Sequence, residues 1–267
     1  MRVWIIGLLS WFWVVWGTGR LLGEEPPVPA PVLPAPKDGV LLVQPAPPPD
    51  PKIWCGSIEL GVNGTEGNSQ FFKFRFGGNL KRATETSITQ FEFLYGIAEN
   101  NNVRSENRFF GTGRHEWLFR DSPWSLFLSG SAEYDEFKAF DVRLASHAGA
   151  AYTWLKTDRW LLKSRVGAGA SREIGGPSNA FVPEGLIGGD LEWKIDDRSK
   201  IASNFDYFPN VTDWSDYRAQ IRIAYELLLL PEYNITLKTG ILDLYDSTPE
   251  GRKPNDLEYF FVLLWKF

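Results

Sequence analysis

The chain has 267 residues, one cysteine, two histidines and a formal net charge of -5 at pH 7. A single cysteine excludes a disulfide framework and a cysteine-based zinc site, and two histidines leave little room for a histidine-rich metal centre. The acidic balance argues against a nucleic-acid partner, because phosphate binding needs a basic face. We therefore expect no metal and no cofactor.

Residues 1–23 have the pattern of a secretory signal peptide. Arg2 precedes an uninterrupted apolar run from Val3 to Trp16. That run fits a signal-peptide core of about 7–15 residues and is shorter than the roughly 20 residues of a transmembrane helix, which disfavours an uncleaved anchor. Small residues at Gly17-Thr18-Gly19 and at Gly23 offer cleavage sites. The sequence predicts an exported protein.

Residues 24–51 are predicted to form a disordered linker. Eleven of these 28 residues are proline, and proline removes the amide donor that helices and sheets require. An extended polyproline II tether is the expected state. A passive spacer is the commoner meaning of such a composition, and the alternative is a periplasmic partner that binds the tether.

From residue 52 to residue 267 the apolar residues recur with period two. In the first segment Trp54, Ile58 and Val62 alternate with Cys55 and Glu59. Side chains of a strand point to alternate faces, so such a segment has one apolar and one polar face. The pattern predicts twelve strands: 54–63, 72–77, 86–97, 104–118, 124–135, 141–154, 160–170, 185–195, 201–207, 217–227, 233–241 and 257–267.

Both a soluble sandwich and a transmembrane barrel produce this alternation. Strands of about 10–12 residues, an even strand count and small residues on both faces of Gly167-Ala168-Gly169-Ala170 favour the barrel. The connections also alternate between short turns and long loops, as in outer-membrane barrels. The expected long loops are Glu99 to Ser105, Glu173 to Pro183, Pro209 to Asp216 and Asp246 to Asn255. We predict an all-β, 12-stranded antiparallel transmembrane β-barrel over residues 52–267.

Several motifs of the barrel segment resemble those of a bacterial family. They are Tyr134-Asp135-Glu136-Phe137, Phe140-Asp141-Val142-Arg143, Gly149-Ala150-Ala151-Tyr152, Trp54-x-Gly56 and Glu59-Leu60-Gly61. The sequence is similar in these to domain of unknown function 481, often labelled salt-induced outer membrane protein. The resemblance covers about Trp54 to Phe267. It implies a β-barrel in the outer membrane of a Gram-negative-type bacterium, in contact with its lipid, and brings no ligand or catalytic residues.

The C-terminal strand resembles the recognition signal of outer-membrane barrels. Its aromatic and aliphatic side chains fall on one face of the strand, at Tyr259, Phe261, Leu263, Trp265 and Phe267. We expect these residues to form an assembly signal for the barrel-assembly machinery.

No catalytic constellation stands out. Ser146 and His147 are adjacent, so on a strand they face opposite ways and cannot form a nucleophile–base pair. His147 is expected to point into the lumen and to make a structural hydrogen bond there. The sequence therefore predicts that the protein is not an enzyme.

The polar face of the strands is predicted to line the lumen with nearly equal numbers of acids and bases. An ion-selective pore would instead show rings of one sign, so we expect cross-strand ion pairs. The candidate lumen network comprises Glu133, Asp135, Asp141, Arg143, Lys73, Arg75, Lys163, Arg165, Arg218 and Arg222. Arg143 is expected to pair with its three acidic neighbours near the outer mouth.

These features predict a narrow, weakly selective pore for small polar solutes or ions. The alternative from another class is a non-conducting structural envelope protein, and an outer-membrane lipid hydrolase ranks third. Seven tryptophans begin odd-numbered or end even-numbered strands, and should lie in one aromatic girdle at the periplasmic boundary. They are Trp54, Trp117, Trp124, Trp154, Trp160, Trp193 and Trp265.

Overall fold

The computed structural model describes residues 54–66, 70–177, 179–249 and 253–267. The predicted signal peptide and proline-rich linker lie outside the described residues. The strands are β1 (Trp54–Thr65), β2 (Phe71–Ala83), β3 (Ser87–Asn100), β4 (Val103–Leu118), β5 (Trp124–Asp135), β6 (Val142–Lys156), β7 (Trp160–Ile174), β8 (Phe181–Lys194), β9 (Ser199–Pro209), β10 (Tyr217–Leu230), β11 (Ile235–Asp246) and β12 (Asn255–Lys266). Among these residues no helix is long and apolar enough to cross a bilayer.

The twelve strands close into one antiparallel barrel. Each strand pairs with its neighbours in sequence, and β1 pairs with β12 to complete the ring. The predicted 12-stranded fold is therefore confirmed. Closure removes the unpaired edges that so long a β chain would otherwise expose.

The apolar face of the strands points outward. In β12, Tyr259 is 76% exposed and Phe261 is 62% exposed, whereas the intervening Phe260 and Val262 are 5% and 3% exposed. A soluble β-protein would bury the aromatic face and expose the other one. The exposed apolar surface is the arrangement of a barrel surrounded by lipid.

The connections differ between the two ends of the barrel. At one end, turns such as 157–159 and 195–198 are short, and at the other end 136–141 and 210–216 are longer. The predicted long loop Glu99 to Ser105 is wrong. The strands β3 and β4 extend through that segment and meet in a two-residue turn at Asn101 and Asn102, whose φ angles are 49° and 62°. Asparagine tolerates the left-handed conformation that such a tight hairpin requires.

The seven tryptophans lie at strand ends of the short-turn end of the barrel, on the outward face. Six of them are more than a third exposed, and the seventh, Trp193, stacks on Trp160 with ring centroids 5.0 Å apart. Tyr152 joins this belt through edge contacts with Trp124 at 4.8 Å and Trp154 at 4.7 Å. Amphipathic rings of this kind favour the headgroup level of a bilayer.

Two apolar clusters lie inside the barrel, which the simple polar-inside pattern did not predict. One contains Ala224, Leu242, Phe260 and Val262, and the other contains Phe127, Ala151 and Leu186. Part of the interior is thus packed like the core of a soluble protein. The remaining interior is polar and forms the candidate site.

Candidate functional site in the barrel lumen

A cavity of about 670 Å³ occupies the lumen. Its wall carries arginines, lysines, aspartates and glutamates from the inward faces of most strands. These positions are inward because the outward positions are taken by the apolar residues of the alternating pattern. The lumen is therefore the place where this chain concentrates its ionisable side chains.

The first ionic group joins β1 and β2 to β11 and β12, and we call it the seam cluster: Glu59, Lys73, Arg75, Glu106, Arg108, Lys238 and Glu258. Arg75 lies 3.2 Å from Glu59 and 3.0 Å from Glu258. Lys238 donates to Glu59 at 2.7 Å.

The seam cluster continues towards β4. Lys73 contacts Glu106 at 2.9 Å and Glu258 at 3.0 Å, and Arg108 contacts the same two glutamates. Lys73 and Arg75, two of the predicted bases, are therefore both held by carboxylates. They do not form a free patch of positive charge.

A second group lies deeper in the lumen around Arg165. Its guanidinium donates to Asp190 at 2.8 Å and to Asp206 at 2.7 Å. Asp190 also accepts a hydrogen bond from the Asn204 amide at 2.8 Å. Nearby, Lys163 donates to the buried Glu116 at 2.5 Å. Buried charges of this kind are tolerated because each has an opposite partner.

The third group lies at the long-loop end of the barrel around Arg143. Its guanidinium donates to Glu173 at 2.8 Å and lies 3.5 Å from Glu133 and 3.3 Å from Asp246. It also stacks over the buried Phe140 ring, 4.4 Å from the centroid. The loop 136–141 thus inserts an aromatic side chain between the charges of the mouth.

The predicted partners of Arg143 are only partly brought together. Glu133 contacts it, whereas the observed partners Glu173 and Asp246 were not predicted. Asp141 is exposed in the loop 136–141, and Asp135 at the end of β5 accepts a hydrogen bond from the Phe137 amide at 2.9 Å. Phe140 of the loop that follows β5 lies over the guanidinium, and the Asp141 carboxylate lies beside Gly175.

Glu184 organises a fourth group. It accepts hydrogen bonds from Ser171 at 2.7 Å and from Arg218 at 2.6 Å, and its other oxygen lies 3.1 Å from His147 Nε2. The carboxylate therefore lies between the serine and the histidine. A nucleophilic serine needs the histidine at its own oxygen, so this arrangement supports a structural role for His147.

Four charged residues of β4 belong to the lumen but were absent from the candidate network. Glu106, Arg108, Arg114 and Glu116 all point inward and have ionic partners. They occupy two pairs of alternate positions on one strand, and Phe110 and Thr112 take the inward positions between the pairs. The alternation of residues with period two could have placed these four side chains in the lumen. The outward positions of this segment carry few apolar residues, which made the alternation hard to recognise.

The remaining ionic contacts lie at other heights of the wall. Arg222 donates to Glu92 at 3.1 Å, and Lys266 donates to Glu226 at 2.7 Å. Outside the strands, hydrogen bonds from Asn107 and Arg104 lower the pKa of Glu136. The described residues contain no cluster of histidine, cysteine and carboxylate side chains that could hold a metal ion.

The family model described as "Protein of unknown function, DUF481" matches residues 58–267. No curated protein matches the chain.

Several solved structures are similar to this chain over most of its length at low sequence identity. The COG4313 outer membrane channel from Pseudomonas putida F1 is 11% identical, with 84% of this chain and 100% of that chain covered and a TM-score of 0.48. The KdgM porin is 11% identical, with 80% and 99% covered and a TM-score of 0.43. A Pseudomonas aeruginosa FadL homologue is 8% identical, with 80% and 75% covered and a TM-score of 0.33.

Proposed function

The chain belongs to the DUF481 family, whose description assigns no activity, and we propose that it is an outer-membrane protein that forms a narrow, weakly selective pore for small polar solutes or ions. The observation that carries the proposal is the charged lumenal cavity of a closed barrel with an apolar outer surface. We place it in the outer membrane of a Gram-negative-type bacterium, in contact with lipid and inserted by the barrel-assembly machinery.

The proposed pore is narrow because ion pairs cross the lumen between strands that are not neighbours. Arg222 of β10 reaches Glu92 of β3, and Lys163 of β7 reaches Glu116 of β4. Arg143 of β6 reaches Asp246 of β11. A solute must pass between these side chains, which leaves room for small polar molecules and hydrated ions only.

Weak selectivity follows from the balance of charge along the wall. Each of the predicted bases Lys73, Arg75, Lys163, Arg165, Arg218 and Arg222 has a carboxylate partner. A selective pore presents a ring of one sign to the permeating ion. Paired charges present both signs, so cations and anions meet similar barriers.

Conductance of the purified barrel in planar bilayers tests the proposal. We expect small single-channel steps, and under a KCl gradient a reversal potential close to zero. The label salt-induced outer membrane protein suggests a link between the family and salt, and recordings at low and high salt concentration test whether the conductance depends on it. Current that never exceeds background would overturn the pore.

The cross-lumen pair Arg222–Glu92 provides a sharper form of the test. Replacing both residues with alanine removes side chains that cross the lumen and leaves neither charge unpaired, so we expect a larger single-channel conductance. The matched control is Arg104→Ala with Glu136→Ala, an ion pair whose side chains are 46% and 39% exposed. Equal conductance of both double variants and the parent would remove this pair from the permeation path.

A non-conducting envelope protein is the second candidate. The apolar clusters inside the barrel and the buried Phe140 at the mouth favour it, because both fill space that a permeating ion would need. In this case the function would lie in the proline-rich segment, which would bind a periplasmic partner. We do not propose that the barrel hydrolyses lipid. Release of labelled fatty acid from phospholipid by the purified barrel would contradict this.

A further inference from the structure

Arg82 is a basic residue on the outward face of the barrel, where the other residues of β2 are phenylalanine, glycine and leucine. Its register partner in β1 is Trp54, which is 40% exposed, and paired residues share one face of a sheet. The preceding residue, Lys81, lines the lumenal cavity instead. Arg82 lies one residue before the end of β2, at the end of the barrel that carries the seven tryptophans. There a guanidinium reaches the head-group level while its aliphatic stem stays against the apolar wall.

The charge of Arg82 has no anionic partner in the described part of the chain. Its guanidinium lies 6.0 Å from the centroid of the Trp54 ring, and its Nε is buried without a hydrogen-bond acceptor. The nearest acidic residue along the chain, Glu85, is exposed in the turn after β2 and forms no ion pair with it. The lumenal Arg75 and Arg165, by contrast, each contact two carboxylates. Arg82 is therefore available to an anion from outside the chain.

Two aromatic rings meet over the strand that carries Arg82. Trp54 of β1 stacks on Phe91 of β3, with ring centroids 6.4 Å apart and an angle of 26° between the ring planes. The strand β2 lies between β1 and β3, whose backbones are then about 10 Å apart, so rings this close approach each other across β2. Trp54 is 40% exposed and Phe91 is 50% exposed. The pair therefore places an exposed apolar surface directly beside the charge of Arg82.

A second hydrogen-bond donor lies beside Arg82 on the same face. Thr89 of β3 is the register partner of Arg82, and His115 of β4 is the register partner of Thr89. The Thr89 hydroxyl and His115 Nδ1 share a hydrogen bond of 2.8 Å. In a neutral imidazole either Nδ1 accepts that bond and Nε2 carries the proton, or Nδ1 donates and the hydroxyl keeps its own hydrogen. Each tautomer thus leaves one donor unused, in a row of about 10 Å that spans three strands.

We propose that Arg82, Thr89 and His115 bind the phosphodiester of a phospholipid at the short-turn end of the barrel. The guanidinium donates charge-assisted hydrogen bonds to two phosphate oxygens, and the Thr89–His115 pair donates one more. A lipid is favoured over a free phosphate ion, because its acyl chains contact the exposed rings of Trp54 and Phe91. With this end in the periplasm, the lipid belongs to the inner leaflet of the outer membrane. The site rests on the membrane location of the proposed function and does not depend on conduction.

Photolabelling of the purified barrel in detergent micelles tests the site. The probe is a phosphatidylglycerol with a diazirine near the carboxyl end of one acyl chain, and the comparison probe is the diacylglycerol with the same diazirine. We expect the phospholipid to label the segments 80–93 and 111–117, and the diacylglycerol to label them about tenfold less, because the charge-assisted hydrogen bonds are lost. Equal labelling by both probes would refute the phosphate site, and no labelling of these segments would refute its location.

Competition identifies the source of the phosphate. Unlabelled phosphatidylglycerol should displace the probe from these two segments, and inorganic phosphate at the same concentration should not, because it makes no contact with the aromatic rings. Equal displacement by both would show a site for a free anion and would overturn the lipid site.

Two substitutions at Arg82 test the role of the guanidinium. Arg82→Gln should reduce labelling by the phospholipid to the level of the diacylglycerol, and Arg82→Lys should keep an intermediate level, because lysine keeps the charge but not the planar fork of donors. The matched control is Arg172→Gln, which removes an arginine at the other end of the barrel whose Nε already donates to Asn179 at 3.0 Å. The control should label the two segments like the parent. An unchanged preference for the phospholipid in heat-modifiable, folded Arg82→Gln would overturn the proposal.

The second donor is tested by the double variant Thr89→Val/His115→Phe, which keeps the approximate shape of both side chains and removes their hydrogen-bonding groups. We expect it to lower labelling by the phospholipid several-fold and to leave labelling by the diacylglycerol unchanged. Labelling equal to that of the parent would contradict the contribution of this pair. The comparison of the two probes on the parent barrel needs no variant, so the proposal stays testable if a substitution impairs folding. Loss of conductance with intact labelling would reject the pore and leave this site standing.

Discussion

At the level of single residues, the ionic contacts of the lumen differ greatly in how much they can contribute to stability. Arg143 is mostly buried and touches Glu133, Glu173 and Asp246, whereas Arg104 pairs with Glu136 at an exposed rim. Removing one partner of a buried pair leaves a charge without compensation. An exposed pair is screened by solvent and contributes little.

We therefore expect Arg143→Ala to lower the free energy of unfolding by up to about 3–5 kcal/mol, with water in the lumen reducing the loss. Urea titration in lipid vesicles measures it. The matched variant Arg104→Ala removes a solvent-screened charge and should lose much less stability. Equal losses in the two variants would mean that the mouth network is solvated like the surface.

The residue scale also marks the limit of what sequence alone could predict. The inward positions of Arg75, Arg165 and Glu184 follow from period two alone. The partner of Arg143 on β11 does not, because Asp246 is 103 residues away along the chain and meets it only when the barrel has a particular circumference and stagger. Likewise, no local pattern predicts that Phe140 folds inward from a loop.

At the level of elements, strand existence and period were predictable and some strand ends were not. The segment from Glu99 to Ser105 is polar and looks like a loop. Its backbone nevertheless continues the ladder, because the two asparagines adopt the left-handed turn.

The turn itself can be tested by two substitutions at Asn102. Valine is strained at a φ of 62°, so Asn102→Val should destabilise the barrel by about 1–2 kcal/mol. Asn102→Gly should be neutral or slightly stabilising, because glycine adopts this conformation without strain. Urea unfolding of both variants measures the difference in stability. A valine variant as stable as the parent would show that the hairpin is not strained.

The C-terminal strand carries the second prediction at this scale. The Phe267 amide and carbonyl both hydrogen-bond to Gly56 of β1 at 3.0 Å. Deleting Phe267 should lower the amount of heat-modifiable folded barrel in the outer membrane and leave export across the inner membrane intact. Phe267→Tyr keeps the aromatic ring and the backbone and should assemble normally. Unchanged folding of the deletion would exclude the residue from assembly.

For the whole molecule, the short turns and the seven tryptophans at one end of the barrel predict its orientation in the membrane. Outer-membrane barrels place short turns in the periplasm and longer loops outside. In a Cys55→Ser background, Val211→Cys in the loop 210–216 should react with an impermeant maleimide on intact cells. Asp197→Cys in the turn 195–198 should react only after the outer membrane is permeabilised. The opposite labelling pattern would show that the barrel has the inverse orientation in the membrane.

The ion pairs that cross the lumen also constrain the order of events during folding. Glu59 meets Lys238, 179 residues later, and Arg108 meets Glu258, 150 residues later. Until the last two strands arrive, Glu59 has only Arg75 and Arg108 has only Glu106, and a half-formed sheet would carry these charges only partly compensated into hydrocarbon. Closing the ring therefore also completes the ion pairing of the interior. A chain interrupted before β11 would leave part of that pairing unmade, however complete its first ten strands.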